Sequence, residues 1–175
     1  IIRALKRNLR NISGRPEGAS TITQQVAKNF FLSREVSYKR KIKEILLALR
    51  IEQTLSKDKI FELYLNQIYL GFRSYGVAAA SLNYFNKSLN ELTIAEAAYL
   101  AALPKAPNNY HPIRKKKAAI GRRNWVISRL LQERLITKDE AIEAKNTELK
   151  VNNREEFKTV EAQYFLEDVR RYLMD

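Results

Sequence analysis

At 175 residues the chain is long enough for one domain with a sizeable core, and its 5 glycines and 4 prolines are few enough to favour helix. It has no cysteine, which excludes disulfides and thiolate metal sites. A net charge of +13 asks for an anionic partner, whether nucleic acid, phosphorylated lipid or an acidic membrane face, and no apolar run reaches the ~18 residues of a spanning helix.

The chain reads as a succession of amphipathic helices. Ile2, Leu5, Leu9 and Ile12 form a helical stripe among Arg3, Lys6, Arg7 and Arg10, and Ser13-Gly14-Arg15-Pro16 ends it. The run GASTITQQVAKN, Gly18 to Asn29, starts a helix at Ser20, Thr21 or Thr23, whose hydroxyls cap free backbone N–H groups. Its apolar content is low, which makes it a poor core helix. A long segment from about Tyr38 to Leu55 is expected to bury Ile42, Ile45, Leu46 and Leu49. Ser56 and Asp58 are placed to cap a further helix, with Ile60, Phe61, Tyr64, Leu65 and Ile68 facing inward.

Gly71 and Gly76 bracket a turn carrying Arg73 and Tyr75. Thr93 to Leu103 is alanine-rich with only Glu96 charged, and reads as a buried helix. Pro104, Pro107 and Pro112 predict an extended connection, before helices near Ala118–Arg134 and Lys138–Thr147.

In the Gly18–Asn29 run, helical spacing puts Gln24 over Lys28 and Gln25 over Asn29. Hydroxyls, amides and an ammonium near a helix N-terminus make an anion site. The residues alone equally allow a solvated, capped helix.

Four ordered motifs carry a family resemblance. GASTITQQVAKN resembles the second motif of the peptidoglycan glycosyltransferases, the membrane enzymes that polymerise lipid II. Arg40-Lys41-Ile42-Lys43-Glu44 resembles the third, KDKIFELYLNQIYLG from Lys57 to Gly71 the fourth, and Arg122-Arg123-Asn124-Trp125-Val126-Ile127 the fifth. The resemblance covers roughly residues 1–150. The tail EAQYFLEDVRRYLMD, within residues 151–175, resembles the connector by which bifunctional class A penicillin-binding proteins pass into a transpeptidase half; periodicity alone allows a plain amphipathic helix.

The resemblance implies an all-α, lysozyme-like domain with a substrate cleft between two lobes. It implies that a lipid II 4-hydroxyl attacks the anomeric carbon of a growing glycan chain, with undecaprenyl diphosphate leaving and the anomeric centre inverted. A carboxylate base accepts the hydroxyl proton, and cations stabilise the departing diphosphate. By resemblance Lys28 holds that diphosphate, assisted by Ser20, Thr21, Gln24, Gln25 and Asn29. The family's base is a glutamate in a Glu-Asp motif ahead of the second motif, and no acid occurs here before Glu17. The expectation is therefore a fragment cut downstream of the base and inactive by itself.

Glu44 is the family's second carboxylate, expected to hold Arg40 or Lys28 toward the phosphates rather than to act as base. Spacing alone allows an exposed ion pair worth ~0.3–0.5 kcal/mol. Glu62 and Asn66, one turn apart, are expected to buttress the cleft. Arg122 and Arg123 are placed either on a phosphate or on a buried acid. Two departures stand out: Leu130 where the family commonly has methionine, and Val36 where relatives carry arginine, with Arg34 two residues earlier.

No metal-ligand spacing is present, and His111, the sole histidine, is not assigned as a ligand. A divalent cation, Mg or Mn, would bridge the diphosphate through substrate oxygens and a carboxylate. Implied partners are lipid II, the growing glycan chain, an anionic membrane surface and other cell wall synthesis proteins, with no nucleic acid. The implied location is the outer face of the cytoplasmic membrane, anchored by a single span in the parent. Two alternatives belong to other classes: a non-catalytic lipid-diphosphate-binding module, and a basic helical nucleic-acid binder supported only by charge. Arg114-Lys115-Lys116-Lys117 reads as a solvated face or a lipid-headgroup contact.

Overall fold

The computed structural model describes residues 20–32 and 37–151. Among the described residues there are seven α-helices: α1 (Ile22–Phe31), α2 (Tyr38–Thr54), α3 (Lys57–Gln67), α4 (Val77–Phe85), α5 (Ile94–Ala102), α6 (Lys116–Gln132) and α7 (Lys138–Asn146). Among the described residues no strand forms; Tyr69 and Tyr75 make an isolated antiparallel bridge. The expected helix over the first dozen residues, the Arg34 and Val36 positions, and residues 152–175 of the expected connector lie outside the described residues.

Local chemistry sets most of the helix starts. The Thr21, Thr93 and Thr137 hydroxyls each accept from the N3 backbone N–H, while Gln24, Glu96 and Glu140 reach back to the cap in reciprocal boxes. Ser37 and Ser56 cap α2 and α3 by the first of these bonds. Helix α4 instead begins at Gly76, where φ is 82° and a Cβ would fall 2.5 Å from the Asn66 carbonyl oxygen. Only glycine fits there.

Helices α1, α2 and α3 pack on one another, α4 links α3 to α5, and α5, α6 and α7 form a second group. The core around α4 and α5 is aromatic: Tyr84 and Tyr99 meet edge-on, with centroids 5.7 Å apart. Their hydroxyls donate to the carbonyls of Leu70 (2.6 Å) and Tyr110 (2.9 Å), and burial pushes both phenols well above the ordinary tyrosine range. Between α5, α6 and α7, Ala95, Ala98, Ala141 and Ala144 surround Ile127, small side chains that let the helices approach closely.

Several expectations are corrected. Helix α1 is a packed helix, burying Thr23, Val26 and Ala27. Helix α2 turns the opposite way to its predicted face: Ile42, Ile45, Leu46 and Leu49 are exposed, Leu46 to 61 %, while Glu44 and Ala48 are buried. The inward face is the one that brings a charged cluster and a small alanine against α1. Phe61 is exposed, whereas Ile60 and Ile68 are buried as expected. The proline-rich connection winds into 3-10 turns at Leu103–Lys105 and Pro107–Tyr110 instead of running extended, each with proline in its first turn.

Candidate functional site

A buried carboxylate organises the junction of α1 and α2. The Glu44 side chain is 2 % exposed. Its Oε2 accepts from Arg40 Nη1 at 3.1 Å, one helical turn earlier, and its Oε1 pairs with Lys41 Nζ. Ser20, just ahead of α1, donates to the same Oε1 at 3.5 Å and accepts from Lys41 Nζ at 2.8 Å. Buried charge is tolerated only when paired and hydrogen-bonded, and here two cations and a hydroxyl meet one carboxylate. The cluster therefore carries a net positive charge. Arg40 Nε is also buried with no partner among the described residues.

The other second-motif residues divide between scaffold and surface. Thr21 and Gln24 bond each other's backbone N–H in the capping box of α1. Gln25 is half-buried. Lys28 and Asn29 stand exposed on the last turns of α1, away from its N-terminus, so Ser20 and Lys28 mark opposite ends of the helix. The cations on Glu44 are Arg40 and Lys41 rather than Lys28. Two groups outside the expected set join this region. Lys41 was legible in principle, three residues before Glu44 on the same face. Glu52, which accepts from Thr23 Oγ1 at 2.6 Å, is a contact across 29 residues that no local spacing signals. Glu52 and Thr23 share a cavity of about 710 Å³ with Thr21, Leu55 and Ile60.

Away from this cluster the expected residues have other neighbours. Glu62 is exposed and bonds Lys59 Nζ at 2.8 and 2.9 Å. Asn66 is exposed, and its backbone lies against Gly76. Arg123 is buried and pairs with no acid among the described residues. Its guanidinium donates to the carbonyls of Thr147 (2.7 Å) and Lys145 (2.9 Å) and to Asn124 Oδ1 (3.0 Å), so it closes the C-terminal end of α7. Burial lowers its pKa from the usual arginine value. Arg122 stacks on the Trp125 ring at 3.9 Å, with its Nε buried and unpartnered among the described residues.

Among the described residues no three acids or imidazoles converge on a metal site, and both Glu44 oxygens are engaged by cations or hydroxyl. The cluster thus sets two cations and a hydroxyl around a single carboxylate.

Comparison with known proteins bears on the family and the fold. A family profile described as transglycosylase matches residues 1–131. Penicillin-binding protein 1A of Rickettsia bellii is 50% identical over 172 residues, covering 97% of this chain and 22% of that protein. Penicillin-binding protein 1A of Neisseria gonorrhoeae is 52% identical over 158 residues, covering 90% and 20%. The crystal structure of penicillin-binding protein 1A from Haemophilus influenzae matches with a TM-score of 0.55 at 35% identity, over 90% of this chain and 20% of that one. The chain therefore spans about a fifth of the length of these relatives. Its all-α architecture is the lysozyme-like one expected from the motifs. Family profile, relatives and fold agree: the chain belongs to the transglycosylase family.

Proposed function

We propose that this chain holds the diphosphate of a polyprenyl-linked donor, and that the protein it represents polymerises lipid II into peptidoglycan strands with release of undecaprenyl diphosphate. The carrying observation is the buried Glu44, which fixes Arg40 and Lys41 beside Ser20. A preorganised pair of cations stabilises negative charge most where it grows, on the leaving diphosphate, and so lowers the barrier rather than merely binding substrate. Glu44 serves as a positioning residue. Ser20 and the Arg40 and Lys41 side chains are assigned to one part of the diphosphate, and the exposed Lys28 and Asn29 to the approaching substrate. Any Mg or Mn ion is assigned to substrate oxygens, because the cluster's carboxylate is already paired.

The exposed stripe of α2 supports a membrane-facing placement on the outer side of the cytoplasmic membrane. Ile42, Ile45, Leu46 and Leu49 lie on one face, with Phe30 and Phe31 of α1 also exposed and Lys39 and Lys43 interspersed. Apolar side chains among cations suit an anionic headgroup layer. No described helix is long and apolar enough to cross a membrane.

Binding without turnover is the second reading, favoured by one observation: the acid in the cation cluster is held between Arg40 and Lys41 as a positioning group, an arrangement that binds an anion without supplying a base. The test is lipid II binding in detergent by the chain and by its Arg40→Ala and Lys28→Ala variants, with glycan synthesis followed in parallel. Saturable binding weakened about tenfold by Arg40→Ala is expected, the loss of a charge-assisted contact. Binding by the chain with no glycan synthesis by the longer parent protein selects the second reading. Salt-sensitive DNA binding with no lipid II affinity overturns both.

A further inference from the structure

We propose that a second cavity, between the Gly71–Arg73 turn and the Pro107–Arg114 connection, receives the carboxylates of the peptide carried by the glycan substrate; this rests on the lipid II reading above. The cavity, about 520 Å³, is of the size that takes a sugar or short peptide segment. Arg73, Arg114 and Asn108 line it together with the rings of Tyr69 and Phe72, and no acid does. Among the described residues neither arginine meets a carboxylate.

The wall that presents Arg73 is held in an unusual conformation. Gly71, Phe72 and Arg73 have φ values of 86°, 44° and 55°, and two of the three carry side chains in the left-handed region. Such strain persists only where the surroundings over-determine it, and here they do. Ser74 N donates to the Gly71 carbonyl at 2.7 Å, Asn83 donates to Ser74 Oγ at 2.8 Å, and the Tyr84 hydroxyl holds the Leu70 carbonyl. On the opposite wall His111 Nδ1 accepts from the backbone N–H groups of Ile113 and Arg114, both at 3.2 Å, while its ring lies 4.8 Å from that of Phe72. Two rigid walls thus carry one arginine each.

The ligand class follows from charge. A lipid diphosphate bearing a peptide-substituted disaccharide has two kinds of anion, the diphosphate and the peptide carboxylates. The first already has the Ser20–Arg40–Lys41 cluster on α1 and α2. This cavity is built from other elements, and its aromatic rings suit the apolar faces of sugar or peptide.

Calorimetric titration of the 175-residue chain with a soluble disaccharide-pentapeptide tests the proposal, beside the same compound with its carboxylates amidated. Saturable binding is expected, weakened about tenfold or more both by amidation and by Arg73→Gly combined with Arg114→Gln. Glycine adopts the left-handed φ without strain, so Arg73→Gly removes the cation without stressing the turn. Arg114→Gln alone, at an exposed side chain, is expected to weaken binding severalfold and covers the case in which the double variant melts early. Equal affinity for the amidated compound, or no effect of the substitutions, overturns the proposal. So does absence of binding while undecaprenyl diphosphate in micelles still binds, which leaves the diphosphate reading standing. Binding of neither probe sinks both.

Discussion

With Glu44 buried and shared between Arg40 and Lys41, removing its charge strands two cations at the α1–α2 junction. Glu44→Ala is expected to cost about 3 kcal/mol, as for a broken buried pair, read from the urea midpoint, and to weaken lipid-diphosphate binding as well. Arg123 uses burial differently: two of its donors hold the chain end of α7, a third bonds Asn124 on its own helix, and none touches an acid among the described residues. Arg123→Met is expected to cost about 1–2 kcal/mol by removing two charge-assisted bonds to the part-buried end of α7, and to lower hydrogen-exchange protection in α7 before α5. Gly76→Ala sets a Cβ against backbone at a positive φ, and a loss of more than about 2 kcal/mol in chemical denaturation is expected. Lys28, by contrast, is exposed at the end of α1, so Lys28→Ala should leave the thermal midpoint nearly unchanged while lowering ligand affinity.

At the scale of elements, capping chemistry links stability to pH. Burial alone would raise the Glu96 pKa, but bonds from Lys87 and from the Thr93 backbone and hydroxyl outweigh it, so the folded value lies below the ordinary 4.5. A depressed carboxylate stabilises the fold above its unfolded pKa and loses that contribution as pH falls through its folded value. The stability conferred on α5 is therefore expected to be intact at neutral pH and to decline below about pH 4.5, and Glu96→Gln should flatten that part of the profile. Thermal melts from pH 7 to pH 3 on both proteins check this. Thr137→Ala, which removes the cap of α7, is expected to cost about 1 kcal/mol.

Over the whole molecule, the α1–α3 group carries the cation cluster and an apolar outer face, while the α5–α7 group is the close-packed alanine-rich support. Exposed apolar side chains beside lysines predict binding to anionic vesicles. Replacing Ile42, Ile45, Leu46 and Leu49 with serine should abolish co-sedimentation with such vesicles while leaving the melting temperature within a few degrees, because none of the four is buried. A large loss of stability would instead mean that this face packs inside the protein.

What the sequence determined by itself is local or pattern-borne. Threonine and serine caps, the Gly71–Gly76 turn, the alanine-rich helix and the ordered motifs all lie within short spans, where hydrogen-bond geometry and backbone sterics act over three or four residues. Those signals placed the helices and the family. They could not decide which face of α2 turns inward. Its apolar stripe is the stronger periodic signal, yet the cluster around Glu44 and the small Ala48 face α1, an outcome set by residues from two helices at once. For the same reason Arg123 resolved as a clamp on α7 and Glu52 as a partner of Thr23 only in three dimensions. Pairing energies depend on distance across the fold, and a one-dimensional pattern carries no term for groups brought together from 20 or more residues apart.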